Sequence, residues 1–410
     1  MKTRPARQIN AEDQRLALTH AAQGRLLDQH LQRLRELPAH GNTTLHADQL
    51  FLGLLLSFFE PMARSLRLIE GRGDFGGRLD LSRLARSTTS DALAAFDPKH
   101  LRPLIEDLRA RCPGLHRADA DPTLAGIARR IIAADGTYLT TLADVTWALH
   151  HTKIDRRTQG QVRANVQLDV AGWVPQVLSI SGDDGQSEPA AVAKDLLSGV
   201  LYVVDRNFLD FRAFVIPVLA KGNDLVLRVR GNAPAKRVIA SLPLTAQDVE
   251  AGVGGDELVE LTGRDAPAGT FRLVTIITAN RRGESETIRL LTNLIDAGTI
   301  AARVIGAVYK LRWQIELFFK WLKCFARMDH LLSTSRQGIT TQLYVAVIAV
   351  LLMYVQTGRR VSIYALAALS GVANGQLTMQ QAMEFLARRE RERELARARQ
   401  ARLRQRKKLA

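Results

Sequence analysis

A change of periodicity near residue 131 constrains the fold of this chain more than any other feature. Before it the sequence has a helical pattern, and after it short runs of β-forming residues alternate with helix-like segments. The β-like runs are 131–139, 161–170, 172–180, 199–208 and 224–231, with helical segments at 187–197 and 211–220. This order predicts an α/β domain with a mixed sheet flanked by helices.

A second set of β-like runs follows the first. The runs 257–262, 271–279 and 285–294 are short and are separated by Gly, Pro and Asp. We interpret them as a small β-rich insertion in the α/β domain. A helical pattern returns after residue 300 and continues into a basic C-terminal tail.

The charge balance favours a polyanionic partner. The chain has 410 residues, of which 46% are hydrophobic and 24% charged, as in a globular protein, and its net charge is +16. Such an excess of basic residues is typical of proteins that bind nucleic acid. Half of it lies in the tail, because residues 388–408 contain eleven basic and three acidic side chains. A solvated arginine-rich helix is the alternative interpretation of this tail.

Other features of the sequence disfavour several classes of protein. Cys112 and Cys324 are the only cysteines, which excludes a disulfide framework and a four-cysteine zinc site and is typical of a reducing cytoplasm. Residues 1–14 contain no apolar stretch resembling a signal peptide. The longest apolar run, 343–355, predicts a buried helix, because it is too short to span a membrane. We therefore expect a cytoplasmic protein with no membrane partner.

The segment 79–97 predicts a helix-turn-helix in the N-terminal region. A short helix at 81–86 is followed by a polar break at 87–90 and a second short helix at 91–96, with Ser90 as its N-cap. A motif of this kind could read DNA sequence in a major groove. An ordinary helical hairpin inside a small bundle is the alternative, because the pattern contains no specific residue.

The run Val308–Phe325, VYKLRWQIELFFKWLKCF, predicts one amphipathic helix with an unusual polar face. At about 100° per residue, four polar residues fall within a sector of about 60°: Tyr309, Arg312, Glu316 and Lys323. The apolar side, which would face the core, consists of Leu311, Ile315, Phe318 and Leu322. A carboxylate among cations suits a metal-bound acidic group close to phosphate.

Two aspartates are candidates to join Glu316 in one site. Asp135 ends an apolar run of β-formers, and Asp205 ends another. Strand ends position side chains rigidly, and converging carboxylates need a cation such as Mg²⁺ between them. Each residue alone has another interpretation: a turn at Asp135-Gly136, a helix cap at Asp205, and an ion pair of Glu316 with Arg312 or Lys320.

Taken in order, these residues resemble the DDE transposases of the insertion-sequence-four family. The matching elements are Asp135-Gly-Thr, then Asp205-Arg-Asn-Phe, then Tyr309-x2-Arg312-x3-Glu316-x6-Lys323. The last element resembles the Y-R-E-K signature of that family at its usual spacing. The resemblance covers residues 125–360 by motif order and implies that Asp135, Asp205 and Glu316 are the catalytic, metal-binding residues.

The resemblance also implies a fold and a division into domains. The fold would be an α/β RNase H-like core, a mixed sheet flanked by helices, with a β-rich insertion, an all-helical N-terminal domain and a helical C-terminal region. We expect an N-terminal DNA-binding domain at 1–125, the first part of the core at 126–231, the insertion at 232–300, the second part of the core at 301–360, and the C-terminal region with its basic tail at 361–410.

A reaction follows from the same resemblance. Proteins of this family bind terminal inverted repeats, hydrolyse DNA at the element ends and join the freed 3′ hydroxyl to target DNA by two-metal-ion phosphoryl transfer. The cofactor would be two Mg²⁺ ions, which Mn²⁺ can replace. The partners would be double-stranded DNA and a second protomer on that DNA, in a bacterial nucleoid. The residues contacting DNA phosphates would be Tyr309, Arg312, Lys323 and, in addition, Lys320.

Two alternatives and one departure accompany this interpretation. The chain could be an RNase H-like nuclease that joins no strands, or a non-catalytic DNA-binding descendant of a transposase, which the presence of all three carboxylates disfavours. In several relatives a tryptophan of the insertion stacks on a flipped base during hairpin formation. Residues 232–300 contain no tryptophan, and Phe271 is their only aromatic residue, which leaves a hairpin intermediate open.

Overall fold

The chain folds into two units. The helical unit comprises Met1–Pro113 and Leu322–Ala410, and the sheet unit comprises Gly114–Trp321. The computed structural model describes residues 25–38, 45–59, 65–71, 84–112, 124, 126–141, 145–148, 152–154, 157–231, 234–279, 283–324, 328, 330–358, 362–373 and 375–409.

The described residues form the following helices, numbered in chain order. They are α1 (Arg25–Arg35), α2 (Ala47–Phe59), α3 (Leu66–Glu70), α4 (Arg86–Ala95), α5 (Arg102–Arg111), α6 (Glu188–Ala193), α7 (Ile216–Ala220), α8 (Ala246–Glu250), α9 (Ala302–Leu311), α10 (Trp313–Cys324), α11 (Arg336–Thr357), α12 (Ile363–Ala373) and α13 (Met379–Leu409). Single 3₁₀ turns lie at Pro98–Leu101 and Arg206–Phe208, and a π-helical turn at Phe211–Val215 precedes α7.

One mixed sheet forms the centre of the sheet unit. The strands are β1 (Ile131–Thr140), β2 (Thr152–Ile154), β3 (Arg157–Gln159), β4 (Gln161–Asp169), β5 (Val174–Ser181), β6 (Leu201–Val204), β7 (Asp224–Val229), β8 (Lys236–Ser241), β9 (Val253–Leu261), β10 (Thr270–Ala279) and β11 (Ser285–Thr292). Within the described residues, nine of them follow the order β5-β4-β1-β6-β7-β11-β10-β9-β8. β1 pairs antiparallel with β4 and parallel with β6, which is parallel to β7. This mixed sheet with flanking helices fits an RNase H-like core.

The strands of the expected insertion extend the same sheet. β11 pairs antiparallel with β7, so β8 to β11 continue the sheet outward. The runs at 257–262, 271–279 and 285–294 correspond to β9, β10 and β11, whereas β8 and the short helix α8 had no clear signal in the sequence. The fully buried Arg272 of β10 forms a double ion pair with Asp256 and donates to the carbonyl of Ile300, just before α9. A charge buried in this way is tolerated because it is paired and hydrogen-bonded.

A long apolar helix forms the centre of the helical unit. α11 spans 22 residues, well beyond the predicted buried run 343–355, from an N-cap at Ser335 to a left-handed Gly358. It packs against α2, α4, α5 and α12. By length and composition it is, among the described helices, the one that could cross a membrane, but 83% of its most apolar stretch is buried inside the protein. A buried core helix has the same composition, because both environments exclude water.

The prediction of a polar break at 87–90, inside the expected helix-turn-helix, is wrong. α4 runs without interruption through residues 87–90, so Ser90 lies inside a helix and does not cap one. The buried hydroxyl of Thr89 is accommodated inside the helix, because it donates a 2.8 Å hydrogen bond to the carbonyl of Ala85, four residues earlier. Residues 81–83, the first half of the helix expected at 81–86, lie outside the described residues, and α4 begins only at Arg86.

The single helix expected over 308–325 is also wrong, because the run is interrupted at Arg312. α9 ends at Leu311 and α10 begins at Trp313. The amide of Arg312 donates to the carbonyl of Tyr309, and the amide of Ile315 donates to the carbonyl of Arg312, both with a spacing of three residues. A step of this kind turns the chain by about 120° per residue rather than 100°, which changes the register between Tyr309 and Glu316. Phe325 lies outside the described residues.

Candidate active site

The two aspartates lie side by side on neighbouring parallel strands. β1 and β6 pair in the register Ile131 with Leu201 and Ala133 with Val203. Continuing this register by two residues puts Asp135 opposite Asp205. The apolar residues before each aspartate are buried in the sheet, so the two backbones are held rigidly.

Asp205 also caps a short helical turn. Its Oδ1 accepts a 2.7 Å hydrogen bond from the amide of Asn207 at the start of the 3₁₀ turn. The helix-cap interpretation from the sequence therefore describes a real contact. This hydrogen bond uses Oδ1 of the Asp205 carboxylate, and Oδ2 takes no part in it.

Asp135 lies within a strand and not in a turn. β1 continues to Thr140 and remains paired with β4 throughout, so the turn interpretation of Asp135-Gly136 is wrong. Oδ1 of Asp135 accepts a 2.9 Å hydrogen bond from the amide of Gly136. Burial, followed by the negative charges of Glu188 and Asp205, raises the pKa of Asp135 to about 8. The negative charges of Glu188 and Asp205 therefore act on Asp135 more strongly than the amide of Gly136 and the positive charge of Arg312, which oppose them.

Arg312 connects the third acidic residue to the first. Its Nη1 lies 3.1 Å from Oε1 of Glu316 and 3.5 Å from Oδ2 of Asp135. The sequence offered a metal-site role and an ion pair with Arg312 as alternatives for Glu316, and the structure contains the ion pair together with the proximity to Asp135. Burial opposes the charge of Arg312, but Tyr309, Asp135 and Glu316 outweigh it and raise its pKa above the ordinary value.

A tryptophan at the β4–β5 turn holds α10, the helix that carries Glu316. Trp173 is 9% exposed, and its Nε1 donates a 3.2 Å hydrogen bond to the carbonyl of Gln314. Its ring meets Phe318 edge to face, with 5.6 Å between the centroids. Ile315 and Phe318 are fully buried, as the apolar face of the sequence predicted. Glu316, 40% exposed, lies on the opposite side of the helix.

The other residues proposed to contact DNA lie on α9 and α10. Tyr309 is close to Arg312, whose guanidinium carbon is 6.0 Å from the centre of the tyrosine ring. Lys320 is exposed on α10. Lys323, which is half-buried, follows on the same helix within the part of the chain that belongs to the helical unit.

Sequence reasoning missed a fourth acidic residue, Glu188, at the first position of α6. Its Oε2 accepts a 2.7 Å hydrogen bond from the side-chain amide of Asn207, and its Oε1 is buried without a hydrogen-bond partner. The sequence placed a helix here, but an acidic residue after a capping serine is common at helix starts. Nothing in the local pattern therefore distinguished Glu188 from an ordinary helix-start residue.

The glycine after Asp135 is required by the close approach of Glu188. A Cβ atom at Gly136 would lie 2.6 Å from Oε1 of Glu188 and 3.0 Å from Cδ of Arg163. Any larger residue would push these side chains away. The Asp-Gly pair therefore marks a crowded position in a strand.

These carboxylates fit a divalent cation chemically, although they do not converge on one point. Among the described residues, no three Asp, Glu, His or Cys side chains form a group ready to hold a metal ion. The guanidinium of Arg312 lies between Asp135 and Glu316. Carboxylate oxygens are the ligands that Mg²⁺ prefers. The unneutralised charge around Asp135 and the unpartnered Oε1 of Glu188 are both features that a cation would relieve.

Comparison with protein families gives one match that covers most of the sheet unit. A model of the family described as "Transposase DDE domain" matches residues 126–352, which is more than half of the chain. The matched region contains all three acidic residues Asp135, Asp205 and Glu316.

Curated relatives with sequence similarity carry related names. A putative transposase, y4zB, of Sinorhizobium fredii is 28% identical over 265 residues, which are 62% of this chain and 70% of that protein. A putative transposase for insertion sequence element IS4SA of Synechocystis is 29% identical over 202 residues, covering 47% of this chain and 52% of that protein. A probable transposase for insertion sequence element IS5377 of Geobacillus stearothermophilus is 34% identical over 95 residues, covering 22% and 23%.

Among solved structures, a transposase complex has a low similarity to this chain. The cryo-EM structure of the piggyBac transposase synaptic complex with hairpin DNA covers 94% of this chain and 80% of that chain, with a TM-score of 0.40 and 11% sequence identity. A similarity at this level does not establish a common fold.

Proposed function

Because the chain belongs to the transposase DDE-domain family, we propose that it is the transposase of an insertion sequence of the insertion-sequence-four family. It would cleave DNA at the element ends and join the freed 3′ ends to target DNA. Relatives named as transposases of insertion sequence elements support this class of substrate. The Y-R-E-K spacing from Tyr309 to Lys323 supports the narrower family.

One observation carries the proposal. Asp135 in β1 lies beside Asp205, which directly follows the parallel strand β6, and Arg312 connects Asp135 to Glu316. In the sequence, Asp135 and Glu316 are separated by 181 positions. Neighbouring carboxylates such as Asp135 and Asp205 repel one another unless a cation lies among them, and this favours a shared metal-binding task.

The three acidic residues would hold Mg²⁺, which Mn²⁺ would replace. Two bound ions supply Lewis-acid stabilisation of the attacking and leaving oxygens in phosphoryl transfer. The task of the chain is to fix the carboxylates: the sheet fixes Asp135 and Asp205, and Trp173 fixes the helix of Glu316. Arg312 neutralises part of the negative charge in the absence of substrate.

The cations near the site would bind the DNA backbone. A guanidinium presents two parallel donors to a phosphate, and Arg312 is already directed towards the acidic residues. Tyr309 would donate its hydroxyl to a neighbouring phosphate, and Lys323 and Lys320 would add positive charge further along α10. Two protomers would act on one element, because two ends must be joined to one target.

A cleavage assay on the cognate element ends tests this proposal. The substrate is a labelled duplex that contains one end of the element from which the gene comes, incubated with the full-length protein and Mg²⁺. We expect Asp135→Asn, Asp205→Asn and Glu316→Gln each to lower the nicking rate at least about 10³-fold while leaving binding of the end intact. The exposed residues Asp183 and Glu250 provide matched controls, as Asp183→Asn and Glu250→Gln, which should cleave normally.

Two outcomes separate the proposal from its alternatives. Near-normal nicking by any one of the three variants would remove that residue from the site. Adding a supercoiled target plasmid distinguishes a transposase from a nuclease, because a transposase yields products in which the labelled 3′ end is joined to the plasmid. A nuclease would yield nicked duplex alone.

A further inference from the structure

Glu188 lies among the residues of the proposed site without belonging to the three-residue motif. Its Oε2 accepts from the side-chain amide of Asn207, and the backbone amide of the same Asn207 donates to Asp205. Its Oε1 occupies the space beside Gly136, directly after Asp135 in β1. Glu188 therefore touches the immediate surroundings of both aspartates.

The position of Glu188 is fixed by the fold. α6 is joined to the sheet by Gln167 of β4, whose side-chain amide donates to the carbonyls of Val192 and Asp195. The hydroxyl of Tyr202 in β6 donates in turn to Oε1 of Gln167. These buried hydrogen bonds prevent α6 from moving away to relieve the repulsion between Glu188 and the aspartates.

We propose that Glu188 is a positioning residue of the site, which orients Asp205 through Asn207 and adds negative charge that attracts a divalent cation to Asp135 and Asp205. This inference rests on the proposed function, because it concerns the same cation. It extends the acidic set from three residues to four, and it accounts for the Asp-Gly pair, since a Cβ atom at position 136 would displace the carboxylate of Glu188 from its place.

The unpartnered oxygen is the main argument for a role beyond structure. Burying a carboxylate oxygen without a donor is unfavourable, and burying it beside two other carboxylates is more so. A residue with a purely structural task would be better served by glutamine, which can still accept from Asn207 and carries no charge. Arrangements that are unfavourable in the free protein persist at sites where a ligand relieves them.

Binding of Mn²⁺ to the full-length protein without DNA tests the inference, with electron paramagnetic resonance of free Mn²⁺ as the readout. We expect Glu188→Gln to weaken Mn²⁺ binding about tenfold, as is typical for residues that support metal ligands. Its melting temperature in EDTA should equal or exceed that of the wild type, because one buried charge is removed. Glu188→Ala should weaken Mn²⁺ binding further, since it also frees Asn207. Glu250→Gln serves as the control and should bind normally.

Asp135→Asn, measured in the same assay, separates a failure of this inference from a failure of the proposed function. If Asp135→Asn weakens Mn²⁺ binding and Glu188→Gln does not, Glu188 has no role towards the cation and the inference is overturned alone. A melting temperature of Glu188→Gln several degrees below that of the wild type would equally overturn it, because the residue would then be structural. If Asp135→Asn binds Mn²⁺ normally, the metal assignment of the proposed function fails and the inference fails with it.

Discussion

Nε1 of Trp173 donates a 3.2 Å hydrogen bond to the main-chain carbonyl of Gln314, two residues before Glu316. Together with the edge-to-face contact to Phe318, this fixes both the height and the rotation of α10 against the sheet. Trp173 has a φ of 60°, which bulky residues rarely adopt. Backbone strain of this kind is common where a structure holds a functional residue in place.

Trp173→Phe should therefore reduce catalysis more than stability. The substitution retains a ring against Phe318 but removes the donor to Gln314, at a cost of about 1 kcal/mol in the free energy of unfolding. We expect the nicking rate to fall about tenfold or more, because Glu316 loses its fixed position. Trp313→Phe is the matched control, since Trp313 lies on the same helix and is 49% exposed. Equal cleavage rates for the two variants would show that Trp173 does not position Glu316.

Gly136→Ala should impair the site through steric crowding. The added methyl would lie 2.6 Å from Oε1 of Glu188, so either the carboxylate or the strand must move. We expect a loss of about 1–3 kcal/mol in the free energy of unfolding, measured by urea denaturation, and a lower cleavage rate. Gly255→Ala in β9 is the control, because a Cβ there meets its nearest neighbour at 3.7 Å, an ordinary contact. If both variants unfold at the same urea concentration, the crowding at Gly136 is not real.

Arg312→Ala should weaken binding of cognate ends and flatten its dependence on salt. Each phosphate contact that is lost lowers the slope of log K against log salt by about 1. Arg312→Lys should retain most of the slope, because the charge is kept, but it should bind less tightly because lysine lacks the two-pronged donor. A slope unchanged by Arg312→Ala would place the phosphate contact elsewhere. Lys323→Ala should lower the slope in the same way.

Removal of residues 395–410 should weaken binding to any duplex without changing sequence preference. This segment contains seven basic and no acidic residues. The cut leaves intact the contacts by which α13 is joined to α12, including Arg389 over the ring of Tyr364 at 5.0 Å. Charge of this type contacts phosphates and carries no sequence information. Competition assays with cognate and unrelated duplexes should show equal losses, and a selective loss of cognate binding would contradict this account.

Local sequence patterns predicted the main strands of the sheet unit well, because runs rich in β-forming residues, such as 131–139 and 224–231, are typical of buried strands. They did not predict that β11 pairs with β7 and extends the sheet. Pairing between distant strands depends on register and on connections, which a local pattern does not contain. The short edge strand β8 was missed for another reason, since none of its six residues is buried and the strand therefore lacks the long apolar run of a buried strand.

Within the candidate site, the residue types were predictable and their contacts were not. The spacing of Tyr309, Arg312 and Glu316 indicated one polar face, but the 3₁₀ step at Arg312 breaks the regular helix on which that face was drawn. Arg312 lies beside Asp135, 177 residues away in the sequence, and this contact is set by the tertiary fold. Glu188 could not be recognised for the same reason. Phe271, the one aromatic residue of the insertion, is 2% exposed, so it offers no surface on which a flipped base could stack.

A crystal structure of the full-length protein with Mn²⁺ and a cognate end tests the central claim most directly, because anomalous scattering locates Mn²⁺ without reference to a mechanism. The account predicts anomalous peaks in contact with the carboxylates of Asp135 and Asp205, with Glu316 joining them and Arg312 moved to a phosphate. Carboxylates still joined through Arg312, with Mn²⁺ bound at other residues or not at all, would contradict it.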